Sequence, residues 1–205
     1  MISSSTTRVV RRREYRETPW RNGGGVTFEI AREPQNADAF DWRLSLARLD
    51  RDGPFSDFSG YQRALTLLQG AGCNLYGLGA RPKVLNEIGA TVLFSGAAAV
   101  SCELISGPCS DLNLMVREPG QIVSVEHFAL LAHETESLRP ACENAVFCLD
   151  GDVECLHMRS GERVTLAAQD TLIVAAPDAG DWRLLRGEAG RAHVVVHTWR
   201  AHNDR

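Results

Sequence analysis

The segment RALTLLQGAGCNLYGLGARPKVL at residues 63–85 overlays NAVFCLDGDVECLHMRSGERVTL at residues 144–166 without a gap, an offset of 81 positions. Ala64 falls on Ala145, Leu68 on Leu149, Gly70 on Gly151, Leu75 on Leu156 and Leu85 on Leu166. A turn glycine and one apolar face therefore recur in a single register, and a slip of one residue would have inverted every side chain. The offset persists further along, setting Thr91-Val92-Leu93 on Leu172-Ile173-Val174 and Asp111–Met115 on Ala192–Val196. Internal duplication of one small unit accounts for this shared register.

The repeated unit reads as β-structure. Runs such as DWRLSLARLD, RALTLLQG, TVLFSG, DLNLMVRE, NAVFCLDG and AHVVVHTWR are short and end in Gly, Pro, Asp or a charge cluster, and helical periodicity is scarce. The fold class expected is all-β, a bicupin of two tandem jelly-roll or cupin barrels. The first barrel is expected over residues 1–120, with strands added from the N-terminal TFEIA and DWRLSLARL runs, and the second over residues 121–205.

Charge and cysteine usage remove several function classes. Net charge is −4, and the basic cluster RVVRRREYRE reads as a solvated, alternating edge strand, so neither nucleic acid nor a membrane is a partner. The start, MISSSTTRVV, lacks an apolar signal core and no run reaches membrane-span length, which points to a soluble, cytoplasmic protein. The six cysteines form no CxxC pair and sit in apolar alternation, as buried free thiols do.

Cupin metal centres use an HxH pair, a later carboxylate and a further His. Here no His follows Gly70 in the first copy and the second offers only His157, so no metal and no cofactor is expected. His193 and His197 stand four apart, about 13 Å along a strand, too far to share one ion. They read as structural, while His127, His133 and His202 fall in connectors or the tail, and no serine sits on a nucleophile elbow.

Polar residues concentrate in the strands of the first half. Alternation groups Arg43, Ser45 and Ala47 opposite Trp42, Leu44 and Leu46, and groups Asp111, Asn113 and Met115 opposite Leu112, Leu114 and Val116. Such a face is either a solvent face or, in a closed barrel, the wall of a ligand cavity. The loop DGPFSDFSGYQR spaces Phe55, Phe58 and Tyr61 three apart, either closing the barrel mouth or stapling the loop to the core. Arg63, entering the next strand, is the charge there that could point inward, where it needs an anionic partner.

PWRNGGGVTFEIA, DWRLSLARLDRDGPFSDFSGYQRALTLLQG and DLNLMVRE, followed by FCLDGDV, resemble the HutD/Ves family of bacterial bicupins from about residue 15 to residue 199. The resemblance implies a two-barrel fold without the usual cupin metal, and an association with histidine utilisation or stress without an established reaction. Carried over position by position, it marks Trp20, Asn22, the three glycines and Glu29, then Arg43, Ser45, Phe55, Ser56 and Arg63, then Asp111 and Asn113. Two departures concern charge: Arg21 replaces an expected Lys, and Glu118 follows Arg117 in place of a second basic residue.

Three functions follow. One is a binding or sensing protein for a small carboxylate such as urocanate or formylglutamate, with Arg43 or Arg63 supplying charge and Asn113, Ser45 and Asn22 orientation. Another is a metal-free isomerase or hydrolase using Glu29 and Asp111 as acid and base. A third is an interaction module, and homodimerisation is compatible with all of them. The glycine triplet does not read as a phosphate loop, because a strand rather than a helix follows and the Lys with Ser or Thr is missing.

Overall fold

The computed structural model describes residues 7–20, 23–35, 39–131, 134–186 and 192–201; Arg21, Asn22, His133 and His202 lie outside them. Among the described residues there is no α-helix, only strands and two short 3-10 turns. Among the described residues no helix is long and apolar enough to cross a membrane. In chain order the strands begin with β1 (Arg8–Val10), β2 (Arg16–Pro19), β3 (Gly25–Glu33), β4 (Trp42–Leu49), β5 (Gly53–Pro54) and β6 (Tyr61–Gln69). They continue with β7 (Cys73–Tyr76), β8 (Lys83–Leu85), β9 (Thr91–Ser95), β10 (Ser101–Leu104) and β11 (Cys109–Arg117). The remainder are β12 (Gln121–Leu130), β13 (Thr135–Ser137), β14 (Glu143–Asp150), β15 (Val153–His157), β16 (Arg163–Leu166), β17 (Thr171–Val174), β18 (Trp182–Arg186) and β19 (Ala192–Arg200).

Contacts divide the chain into two compact units, one built on Tyr15–Ile122 and the other on Val123–Arg200 with the N-terminal segment up to Glu14. The first unit has a sheet ordered β2-β3-β4-β11-β6-β9 and a smaller one ordered β5-β10-β7-β8. The second has β1-β17-β14-β19-β12 and β13-β18-β15-β16. Shifting the first set by the offset of the repeat turns β4-β11-β6-β9 into β12-β19-β14-β17, and β5-β10-β7-β8 into β13-β18-β15-β16. The repeat seen in the sequence is thus a repeat of strand order. Gly70 and Gly151, its matched turn residues, both have positive φ, +91° and +71°, the region that favours glycine.

In the first unit Leu49, Leu65, Leu67, Leu75, Leu85 and Val100 pack between the two sheets with Cys73, Cys102 and Cys109. In the second, Val146, Val153, Leu166, Leu172, Trp182, Leu184 and Val194 do so with Cys148 and Cys155. All six cysteines are buried and free. Burial pushes the Cys155 thiol up to about 12, which makes it an inert filler of the core.

The basic cluster corrects an expectation. RVVRRREYRE is not one continuous edge strand: β1 and β2 belong to different sheets, separated by a 3-10 turn at Arg12–Glu14. The Glu14 carboxylate accepts the Arg11 N–H at 2.6 Å, closing the turn. The Arg11 guanidinium donates to Asp170 at 2.8 Å, tying β1 to the second unit. Local side-chain bonding of this kind competes with a strand ladder.

Candidate functional site

Three central strands of the first unit set a grid. Across β6, β11 and β4 the register aligns Arg63 with Met115 and Arg43, Leu65 with Asn113 and Ser45, and Leu67 with Asp111 and Ala47. Residues opposed in an antiparallel ladder share a face, so the polar positions of the three strands converge. All of these but Leu67 line a cavity of about 440 Å³. The face that alternation left open is therefore interior. Its opposite, carrying Trp42, Leu44, Leu112 and Leu114, is fully buried as well.

Trp20, with Thr18 and Thr27, supplies another side of the cavity, and the loop after β5 supplies Phe55, Ser56 and Phe58. The Trp20 indole N–H donates to Thr27 Oγ1 at 2.8 Å, fixing the ring. The glycine triplet places it there. The Trp20 N–H donates to the Gly25 carbonyl at 2.9 Å, and the Gly24 carbonyl accepts the Asp50 N–H at 2.9 Å, so the hairpin joining β2 to β3 is tied to the end of β4. A Cβ on Gly25 would stand 2.1 Å from the Arg48 carbonyl oxygen, a backbone atom that cannot swing away. Gly25→Ala is expected to cost roughly 1–3 kcal/mol in denaturant unfolding, as overpacking does; wild-type stability in that variant would mean the approach is looser than described.

Arg63 is 5% exposed and its guanidinium carbon lies over three rings, 4.9 Å from the centroid of Phe94, 5.3 Å from Phe55 and 5.5 Å from Phe58. Ring faces attract the cation but accept no conventional hydrogen bond. Its buried Nε has no hydrogen-bond partner in the protein. Desolvation pulls the group down to about 10, opposed by Asp111 and aided by Arg43; it stays a cation at neutral pH. Asp111 is 2% exposed, and burial pushes its carboxyl up to about 7 against the attraction of Arg63. Asp111 Oδ1 and Asn113 Oδ1 are buried without a partner too. Buried polar atoms are normally satisfied, so three unsatisfied ones at one cavity mark where an exogenous molecule would complete them.

Of the residues marked by sequence, Trp20, Arg43, Ser45, Phe55, Ser56, Arg63, Asp111 and Asn113 line this cavity. Asn22 lies outside the described residues. Glu29 does not line it. It opposes Ser45 just before a bulge in β3, and its carboxylate is engaged by Arg43 Nε at 2.9 Å and Arg32 Nε at 3.5 Å. Glu29 and Asp111 are thus not assembled around one substrate position. Phe94 was not marked at all, and its only signal is its register opposite Arg63.

The repeat does not carry this polar interior. At the offset of the repeat, Arg43, Arg63, Asp111 and Asn113 become Ser124, Asn144, Ala192 and Val194. Asn144 is bound internally, accepting from Thr198 and donating to the Arg139 and Cys142 carbonyls. Three of the described histidines make contacts within the protein: His157 Nδ1 lies 2.7 Å from Ser160 Oγ, and the His127 and His193 rings stack at 5.4 Å. His197 is fully buried, which pushes it down to about 3. Among the described residues no group of three or more His, Cys, Asp or Glu side chains has the geometry to hold a metal ion.

A family model described as HutD matches residues 12–192. An uncharacterized 21.2 kDa protein in the hutC 3′ region of Pseudomonas putida is 43% identical over 112 residues, 54% of this chain and 58% of that protein. The chain spans a little over half the length of the curated relatives it matches. HutD from Pseudomonas fluorescens SBW25 shares 34% identity, with a TM-score of 0.70 over 96% of this chain and 100% of that one. A conserved protein of unknown function from Pseudomonas aeruginosa PAO1 shares 31% identity, with a TM-score of 0.84 over 96% and 100%. In fold alone, the chain is similar to a cupin 2 conserved barrel domain protein from Leptotrichia buccalis, at 11% identity and a TM-score of 0.56 over 87% and 89%.

Proposed function

Because the chain belongs to the HutD family, we propose that it is a binding protein that takes a small carboxylate metabolite into the cavity of its first barrel, as an accessory or regulatory component of histidine utilisation. The observation that carries this reading is Arg63: a cation held among three aromatic rings, its buried Nε unsatisfied and its side chain lining a cavity. A carboxylate gives the guanidinium a charge-assisted hydrogen bond. Arg43 strengthens the positive field although Glu29 offsets part of it, and Ser45 and Asn113 orient the remainder of the molecule. The rings and Trp20 suit a flat, partly apolar body such as urocanate; a formylglutamate-like acid is the other candidate. A volume of about 440 Å³ is within the range of small-molecule sites. The hut-region relative supports the pathway.

An acid–base enzyme is the weaker reading, since Glu29 is taken up by two arginines and only Asp111 reaches the cavity. Without an imidazole in the lining, two arginines and a mostly neutral polar set suit an anion better than a metal ion.

Thermal melts in the presence of histidine-pathway acids test the proposal. A ligand at a hundred times its Kd stabilises the native state by about 2.7 kcal/mol, several degrees in melting temperature. The expected pattern is a shift with urocanate or formylglutamate and none with the corresponding amides. No shift with any of these acids at millimolar concentration overturns it.

A further inference from the structure

One edge of the repeated sheet is finished in the second unit and bare in the first. In the second unit β1 pairs antiparallel with β17, Arg8 opposite Ile173, Val9 opposite Leu172 and Val10 opposite Thr171. The chain continues over the adjoining surface, where Arg11 donates to the Thr165 carbonyl and to Asp170, and Arg12 to the Gln169 side chain. Ile173 at this edge, opposite Arg8, is fully buried.

At the offset of the repeat Thr165 becomes Val84, and the strand registers set β17 on β9: with Ala64 on Ala145, Leu93 answers to Ile173, and Gly89 answers to Gln169, both of positive φ and donating their N–H groups to the matched Leu67 and Cys148 carbonyls. Among the described residues no strand pairs with the outer side of β9. Where the covered copy buries Ile173 and bonds the Thr165 carbonyl and Gln169 to arginines, the bare copy exposes apolar side chains: Leu93 is 59% exposed, Val84 54% and Ile88 43%. The backbone is set for pairing. Gly96 donates to Tyr61 and Leu67 to Ala90, which turns the even-numbered residues of β9 toward β6 and leaves the N–H and C=O groups of Thr91 and Leu93 and the N–H of Ser95 on the open side, the Ser95 carbonyl accepting the Ala98 N–H at 3.0 Å. Open edges are commonly blunted by a Lys, a Pro or an inward charge. The β9 sequence, TVLFS, has none of these.

We propose that the bare edge of β9 pairs with β9 of a second copy of this chain, antiparallel about a two-fold axis at Leu93, to form a homodimer. The position calls for an antiparallel strand, as β1 on β17 demonstrates within the same chain. An uncharged strand centred on one residue is complementary to itself: Leu93 exchanges two hydrogen bonds with its own copy, and the Thr91 carbonyl meets the Ser95 N–H. The Leu93 side chains then meet about the two-fold axis, and Val84 and Ile88 flank the new ladder, removing apolar surface from water without setting like charges together.

Light scattering coupled to size exclusion on the full chain at micromolar concentration reads the outcome. The expected mass is twice the 22.5 kDa of one chain. Leu93→Lys is expected to halve it at an unchanged melting temperature, since this side chain is exposed. Mixing Leu93→Lys with Leu93→Glu is expected to restore the doubled mass, because the opposite charges meet across the axis. A monomeric wild-type protein, or a Leu93→Lys variant that stays dimeric, overturns the proposal. Val84→Lys makes the same distinction should Leu93→Lys fail to fold: loss of the dimer supports the edge and its retention speaks against it.

Discussion

Replacing Arg63 with Met is expected to weaken carboxylate binding by roughly one to two orders of magnitude, because hydrogen bonds to charged groups contribute about 1.5–3 kcal/mol each. Calorimetric titration with whichever pathway acid binds the wild type measures it. Arg63→Lys is not expected to rescue the site, since a point charge on a flexible stem neither stacks on three rings nor offers a planar fork. The same substitution changes stability with a sign that depends on pH. The Arg63 guanidinium is desolvated, so removing it in favour of a similar apolar volume relieves that cost. At pH 5.5, where Asp111 is protonated in the native state, Arg63→Met is expected to melt at or above wild type. At pH 8.5 the buried Asp111 carboxylate loses the cation that opposes its desolvation, and the variant is expected to melt below wild type. Unchanged binding would make the three-ring cage a structural feature only.

What the sequence revealed and what it withheld divide along a physical line. The turn glycines Gly70 and Gly151 and the apolar face around them are local requirements repeated in one register, so they can be recognised before any contact is known. The grouping of Arg43 with Ser45 and of Asp111 with Asn113 is equally local, since it follows from a period of two. Which face encloses the cavity is not, because alternation is symmetric about the plane of a sheet and the pairing of β4, β11 and β6 decides it. Phe94 reaches Arg63 only through the β6–β9 register, across a connection that includes β7 and β8. Glu29 shows the converse: it belongs to a motif, yet Arg43 and Arg32 engage it and the bulge beside it alters the local register. In the arginine cluster only Arg13 and Arg16 are exposed, with Arg8, Arg11 and Arg12 half-buried, and the Glu14 side chain closes a turn where a continuous strand was expected.

Stability against pH is expected to contain two opposed limbs, one from each unit. Asp111 has its carboxyl raised from 3.8 to about 7 by burial. Between these values the native state holds a proton that the unfolded chain has released, so stability falls as pH rises through the window and the loss is complete above about 7. At 1.36 kcal/mol per pH unit the limb amounts to at most about 4 kcal/mol. His197 behaves oppositely, lowered from 6.5 to about 3 by burial. There the unfolded chain takes up a proton that the native state refuses, so stability is fully present above 6.5 and lost as pH falls toward 3, again by at most about 5 kcal/mol. Between pH 4 and 6.5 the two slopes have opposite signs. Asp111→Asn keeps the shape and removes the first limb, and is expected to be the more stable protein at pH 8 and to lose stability only on acidification. His197→Gln removes the second limb, and is expected to lose stability only as pH rises from about 4 to 7. Denaturant unfolding of the three proteins across this range decides the matter: if the Asp111→Asn profile runs parallel to wild type, the cavity carboxyl is not desolvated, and the account of Arg63 as the cation left to meet an incoming acid loses its partner.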